Sequence, residues 1–204
     1  GGRAVYELTI SNQTQAPMSG IAIQFNKNVL GLTNAEPLQV PPLPPQQSHS
    51  ASLPMTFSTE KTAPTGQPGV LQVAMKNSAG VCYFQDAVSL APFLSESGRI
   101  ESSQYPALWQ ALPPANQAVA PLSGFPLEVP FVESALGRGN VHVLHKKQLQ
   151  SGGTALYCSA KTDAGATLLC EVQVLPAAAR CAARCEVAAL AQMLPPTIQA
   201  LLTP

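Results

Sequence analysis

Apolar and polar residues alternate along most of the first part of the chain. The alternation is clearest from Leu71 to Gln85, LQVAMKNSAGVCYFQ. Leu71, Val73 and Met75 alternate with Gln72, Ala74 and Lys76, the period of a half-buried strand. Beyond a turn of Asn77, Ser78, Ala79 and Gly80, Cys82 and Phe84 alternate with Val81, Tyr83 and Gln85. A turn of that length pairs Lys76 with Val81 and Ala74 with Tyr83, so the apolar sets share one face. Tyr83 then stands on the other face, beside the small Ala74 and near the amine of Lys76. A ring over a small residue with a cation nearby makes a shallow slot for a peptide.

The same period predicts strands over Arg3–Ile10, Gly20–Phe25, Pro37–Val40, Ser50–Phe57, Gly69–Lys76 and Val81–Leu90, separated by turns rich in Asn, Pro and Gly. Short strands at such spacing predict an antiparallel sandwich over residues 1–93. The pattern changes after Phe93. Tyr105, Leu108, Trp109 and Leu112 form a helical stripe, with Pro106 in its first turn. Asn116 to Phe125 is broken by proline. Pro126 to Leu136 predicts a short helix ended by Gly137. Strands follow at Asn140–Lys146, Thr154–Lys161 and Ala166–Leu175, with a further one at Arg180–Cys185. A last helix starts at Glu186 and is expected to kink or break at Pro195-Pro196. Residues 94–204 therefore read as an α+β unit, an antiparallel sheet with flanking helices. Its second hairpin turns over Thr162 to Ala166 and pairs Lys161 with Thr167. That register sets Tyr157 opposite Glu171 on the wetter face, an anchor for a ligand that carries an apolar residue and an Arg.

Composition narrows the chemistry. Hydrophobic residues make up 46% of the 204 positions and charged residues 11%, the balance of a globular chain. The formal net charge is +0 and no basic run appears, which argues against nucleic acid or an anionic membrane as partner. The 20 prolines, roughly twice the average rate, favour turns and strand edges over long helices. The chain opens Gly1-Gly2 without Met and reads as part of something longer. No stretch is apolar enough to span a bilayer. Five cysteines at irregular spacing (Cys82, Cys158, Cys170, Cys181 and Cys185) look like reduced thiols on apolar strand faces.

Catalytic and metal readings are weak. Cys181 and Cys185 form C-x3-C, and only Cys158 or Cys170 could complete a zinc site. His142 and His145, three apart on a strand, should point to opposite faces. No nucleophile elbow, P-loop or dinucleotide fingerprint is present. Glu128 and Glu133 have no useful spacing. A thiol-dependent enzyme would need thiols and histidines converging in one cleft. The aromatic positions have plain explanations too: a lone Trp on a helical stripe is more often core, and an exposed strand Tyr is a good sheet former. These residues alone support a two-domain binding module, with a scaffold that docks a folded partner as the rival.

The chain resembles the appendage (ear) of the β-adaptin large subunit of clathrin adaptor complexes. The resemblance runs along essentially the whole chain. It rests on Phe25-Asn26-Lys27-Asn28, Pro37-Leu38, Leu71-Gln72-Val73-Ala74, Lys76-Asn77 and Tyr83-Phe84. In the second half it rests on Trp109, Leu156-Tyr157, Gly165, Glu171, Arg184 and Glu186-Val187. It implies an immunoglobulin-like sandwich followed by a platform subdomain, with no catalysis and no cofactor. The expected partners are clathrin and the short linear motifs of endocytic and trafficking accessory proteins, together with the other adaptor subunits through a trunk. The implied location is cytoplasmic, peripheral on clathrin-coated pits, vesicles and trans-Golgi membranes. The implied sandwich site is Tyr83 with Lys76 and Ala74. The implied platform site is Trp109, Tyr157 and Glu171, with Lys147 at a basic position; it takes a helical peptide with Phe and Leu anchors and an Arg for Glu171. The sequence departs from the family at Gln110 (Lys in the family), Gln117 (acidic), Ser102 (basic) and Pro195-Pro196, which interrupts a helix the family keeps continuous. The first sandwich strand is cut short at Gly1.

Overall fold

Strands form where the alternating pattern can cover one face. The computed structural model describes residues 4–63 and 65–203, and the chain divides between Val88 and Ser89 into two units. The first unit holds β1 (Val5–Ser11), β2 (Ala22–Phe25), β3 (Leu32–Asn34), β4 (Ser48–Phe57), β5 (Val70–Asn77) and β6 (Gly80–Ala87). They make two antiparallel sheets, ordered β1-β4-β3 and β2-β5-β6. Phe25, Leu32, Leu53, Leu71 and Val73 are buried in its core. The Tyr6 ring meets Phe25 edge-on at 5.3 Å, tying the two sheets together. Buried Asn28 bonds Leu32 from both ends of its amide, at 2.8 and 3.0 Å, and so fixes the turn into β3.

The β5–β6 hairpin has the predicted register, Lys76 with Val81 and Ala74 with Tyr83. Its loop is tighter than expected: Asn77 pairs with Gly80, leaving Ser78 and Ala79 as the turn. Strand β6, at the edge of its sheet, is exposed along its whole length. Cys82 and Phe84 are therefore not part of a covered face. The expected strand at Pro37–Val40 is absent, and β3 at Leu32–Asn34 replaces it. Pro37, Pro41 and Pro42 have no N–H to give a ladder; Leu38 and Leu43 are buried from irregular backbone instead. The expected start of the first strand at Arg3, and its truncation at Gly1, lie outside the described residues.

The second unit is built on an antiparallel sheet of β7 (Ala118–Leu122), β8 (His142–Gln148), β9 (Thr154–Lys161), β10 (Thr167–Val174) and β11 (Ala179–Arg184), ordered β7-β11-β10-β9-β8. Leu156, Cys158, Ala160, Leu168, Cys170, Val172, Cys181 and Ala183 line its covered face. The helices α2 (Val129–Arg138) and α3 (Ala188–Leu202) pack against this sheet and each other. The short α1 (Tyr105–Ala111), with Pro106 in its first turn, lies over the opposite face, where the Tyr105 hydroxyl donates to the Cys170 carbonyl at 3.1 Å.

Four features differ from the sequence reading. Strand β7 spans Pro121, which an edge strand tolerates. Helix α2 continues through Gly137 and is capped at Gly139. Helix α3 starts at Ala188 and runs unbroken through both prolines. Leu190, Leu194, Ile198 and Leu202, four residues apart, bury one stripe of it, and Thr197 Oγ1 donates to the Met193 carbonyl at 2.8 Å. Packing of that stripe outweighs the two amide donors that the prolines lack. Finally, β8 bulges between Val143 and His145, so that His142 pairs with Ser159 and His145 with Tyr157. The extra residue puts both histidines on the same face, contrary to the simple alternation. No helix among the described residues is long and apolar enough to cross a membrane.

Candidate functional site

Register builds the open face of the five-stranded sheet. Val119 pairs with Ala182, Ala182 with Glu171, Glu171 with Tyr157, and Tyr157 with His145. Residues opposite one another in a ladder point the same way, so these five form one row across all five strands. The next row carries Arg180, Gln173, Ala155 and Lys147. Helix α1 lays Tyr105 and Trp109, one helical turn apart, over this face. Tyr105 meets Tyr157 edge-on at 5.4 Å and stacks with Trp109 at 5.7 Å. His145 stacks on Tyr157 at 6.1 Å.

The result is a hollow of about 520 Å³ bounded by Trp109, Tyr105, Tyr157, His145, Lys147 and Glu171, with Ser102, Ser103, Pro106 and Gln110 at its margins. All four expected platform residues line it: Trp109 from α1, Lys147 from β8, Tyr157 from β9 and Glu171 from β10. Glu171 accepts a hydrogen bond from the Gln173 amide beside it. Burial pushes the Tyr157 hydroxyl pKa up, and the Glu171 carboxylate adds to the shift. Burial, foremost, raises Tyr105 further still. Both rings stay neutral near pH 7 and offer apolar faces with polar tips. Such a concave aromatic wall with a carboxylate and an amine at its edge suits a short amphipathic segment.

Tyr105 and His145 also line this site, although the sequence pattern does not single them out for it. Tyr105 could be found from the helical stripe it shares with Trp109. His145 could not, because the β8 bulge that turns it inward leaves no mark in the pattern. Arg184 lies over the Trp109 ring at 4.6 Å and donates to the Trp109 carbonyl at 3.0 Å and to Gln117 Oε1 at 2.8 Å.

In the first unit Tyr83 is 80% exposed on edge strand β6. Ala74 lies opposite it, and Lys76, one pair along, is exposed on the same face. The hollow next to Tyr83, about 240 Å³, lies on the other side of the ring, among Asn26, Gln72, Val73, Phe84 and Gln85. Asn26 Nδ2 donates to Gln72 Oε1 at 3.1 Å and holds that wall. Ala74 and Lys76 are neighbours of Tyr83, but they do not line its groove.

Four of the five thiols stand apart from His142 and His145. Cys158, Cys170 and Cys181 are buried on the covered face, His142 and His145 are on the open one, and Cys82 is exposed in the other unit. Glu133 forms an ion pair with Lys146 at 3.1 Å. Among the described residues, no group of three or more His, Cys, Asp or Glu is placed to hold a metal.

Residues 95–202, which include the whole open-face site, match the family described as Beta2-adaptin appendage, C-terminal sub-domain. The chain belongs to this appendage family. Human AP-1 complex subunit beta-1 is 33% identical over 183 residues, 88% of this chain and 19% of its own length. The Rattus norvegicus AP-1 complex subunit beta-1 is 33% identical over 178 residues, 86% of this chain and 18% of its own length. The Dictyostelium discoideum AP-1 complex subunit beta is 25% identical over 178 residues, 84% of this chain and 18% of its own length. The appendage chain thus spans about a fifth of the length of the relatives it matches.

Proposed function

We propose that this chain is a non-enzymatic interaction module of a clathrin adaptor β subunit, binding short linear motifs of clathrin and trafficking accessory proteins. On this reading the first unit is the immunoglobulin-like sandwich subdomain and the second the platform. The module works in vesicle transport, held peripherally on clathrin-coated pits, vesicles or trans-Golgi membranes by a trunk that binds the other adaptor subunits. The observation that carries the proposal is the hollow in which α1, β8, β9 and β10 bring Trp109, Lys147, Tyr157 and Glu171 together within the family-matched half. A helical peptide places Phe and Leu anchors against the Trp109 and Tyr157 rings, and its Arg reaches Glu171. Tyr83, with Ala74 and Lys76 beside it, takes a second peptide. Each site is weak alone, in the micromolar range at roughly −8 kcal/mol, and many modules on one coat supply avidity.

The test is calorimetry with a synthetic Phe-x-x-Phe/Leu-x-x-x-Arg peptide. Trp109→Ala and Tyr157→Ala should each weaken binding by at least about 2 kcal/mol, as central aromatic anchors do. Tyr83→Ala should leave this peptide unaffected and weaken a clathrin or accessory peptide at the sandwich. Unchanged affinity in both platform variants would remove the site.

A further inference from the structure

Tyr105, Leu108, Trp109 and Leu112 share one helical stripe in the sequence, yet Tyr105 is the only α1 side chain that is buried. A helix of seven residues cannot press so wide a stripe against the sheet. Trp109 falls to the side of the peptide pocket, while Leu108, 39% exposed, and Leu112, just past the helix, fall to the opposite flank. There they border a separate hollow of about 340 Å³, backed by the buried Leu169 and Cys185. The hollow opens where the β10–β11 ladder ends, at the Leu169–Arg184 pair; β10 runs on to Thr167 against β9, and the other chain leaves for α3. Hydrogen bonds fix its walls. Asn116 Nδ2 donates to the Cys185 and Glu186 carbonyls at 3.1 and 2.6 Å. In the β9–β10 turn the Gly165 amide donates to the Thr162 carbonyl at 2.8 Å and the Ala166 amide to Thr162 Oγ1 at 3.0 Å. The Ile100 amide donates to Ser159 Oγ at 3.3 Å. Glu186 is the one charged residue on the border, and it forms no ion pair among the described residues. This hollow shares no residue with the one between Trp109 and Tyr157.

We propose that this hollow on the Leu108 flank of α1 is an independent docking site for a partner protein, taking one bulky aliphatic side chain followed by a Lys or Arg. The lining selects the first element. Ile100, Leu108, Leu112, Leu169 and Val187 are aliphatic, and no aromatic ring stands among the residues that border the hollow. The second element follows from charge complementarity. The Glu186 carboxylate attracts a cation beside the apolar anchor and repels an anionic one, such as the head of a fatty acid. Because the walls are already fixed, docking orders little of the chain. The site needs neither Trp109 nor Tyr157 and so stands apart from the peptide pocket.

The experiment titrates the full isotope-labelled chain with N-acetyl-Leu-Arg-amide and its Leu-Gln, Leu-Glu and Ala-Arg counterparts, followed by amide NMR. Leu-Arg should shift the amides of Gly165, Ala166 and Val187 saturably. It should bind about two- to fivefold tighter than Leu-Gln at low salt, and at least about tenfold tighter than Ala-Arg. Glu186→Gln should abolish the preference for Arg while leaving the Phe-x-x-Phe-x-x-x-Arg peptide unaffected. Tyr157→Ala should leave the Leu-Arg shifts in place. Equal binding of Leu-Arg and Leu-Gln, a preference for Leu-Glu, or no shift at these amides with any dipeptide would overturn the proposal. Shifts confined to the Trp109–Tyr157 pocket and lost in Tyr157→Ala would also overturn it and leave the peptide pocket standing. The same amides shifting on concentration of the chain alone would assign the hollow to a second copy, and shifting with decanoate but not with the dipeptides would assign it to an acyl chain; either result would overturn the proposal.

Discussion

Arg184 shows how much one side chain carries on this surface. Its guanidinium lies over the Trp109 indole, bonds the last turn of α1 through the Trp109 carbonyl, and reaches Gln117 ahead of β7. Lysine keeps the charge but loses the planar fork and the stacking. Arg184→Lys should therefore destabilise the chain by about 1 kcal/mol in urea unfolding and shift the emission of Trp109. Unaltered emission and stability would show that Arg184 does not hold the indole. Tyr83 is the opposite case. With 80% of its surface exposed, Tyr83→Ala should change stability by less than about 0.5 kcal/mol, so any loss of binding there is a loss of contact and not of fold.

At the scale of elements, the two hairpins that matter most were readable because their strands are joined by short turns. The alternation in β5–β6 and β9–β10, with the intervening turn length, fixes which side chains stand opposite one another, and Ala74–Tyr83 and Tyr157–Glu171 followed directly. What escaped depends on partners distant in sequence. Pro121 disguises β7, whose edge position only β11 reveals. The bulge in β8 reverses the facing of His145. Prolines 195 and 196 signal a break that the buried stripe of α3 overrides. Pro196 is the exposed one of the pair, so Pro196→Ala restores an amide donor without opening a cavity. It should stabilise the chain by at least about 1 kcal/mol, a fraction of the cost of an interior proline; an unchanged unfolding midpoint would mean that the helix already accommodates it without penalty. Gly98 makes a contrasting prediction. Its carbonyl accepts from Ser159 Oγ at 2.8 Å, and a Cβ there would sit 2.6 Å from the Lys161 backbone nitrogen. Gly98→Ala should cost about 1–3 kcal/mol by pushing the segment before α1 off β9.

For the whole molecule, neutrality and buried thiols set the response to pH. A hydrogen bond to Cys158 raises the Cys170 pKa, a hydrogen bond to Cys170 raises that of Cys181, and burial raises that of Cys185. In the unfolded chain these thiols ionise near pH 8.5. Above that, the unfolded state binds fewer protons than the folded one, so stability falls as pH rises. It should be flat between about pH 7 and 8, then decline by up to about 1.4 kcal/mol per pH unit for each thiol. Equal urea midpoints at pH 7.5 and 10 would contradict this. The binding account has a more direct probe, because the chain contains a single tryptophan, Trp109, at the wall of the proposed peptide pocket. Titration of the full chain with the Phe-x-x-Phe-x-x-x-Arg peptide, followed by tryptophan emission, tests the central claim. The account predicts a saturable spectral change with a micromolar midpoint that is lost in Tyr157→Ala. A flat titration of the wild-type chain, or the same saturable change in Tyr157→Ala, would contradict it.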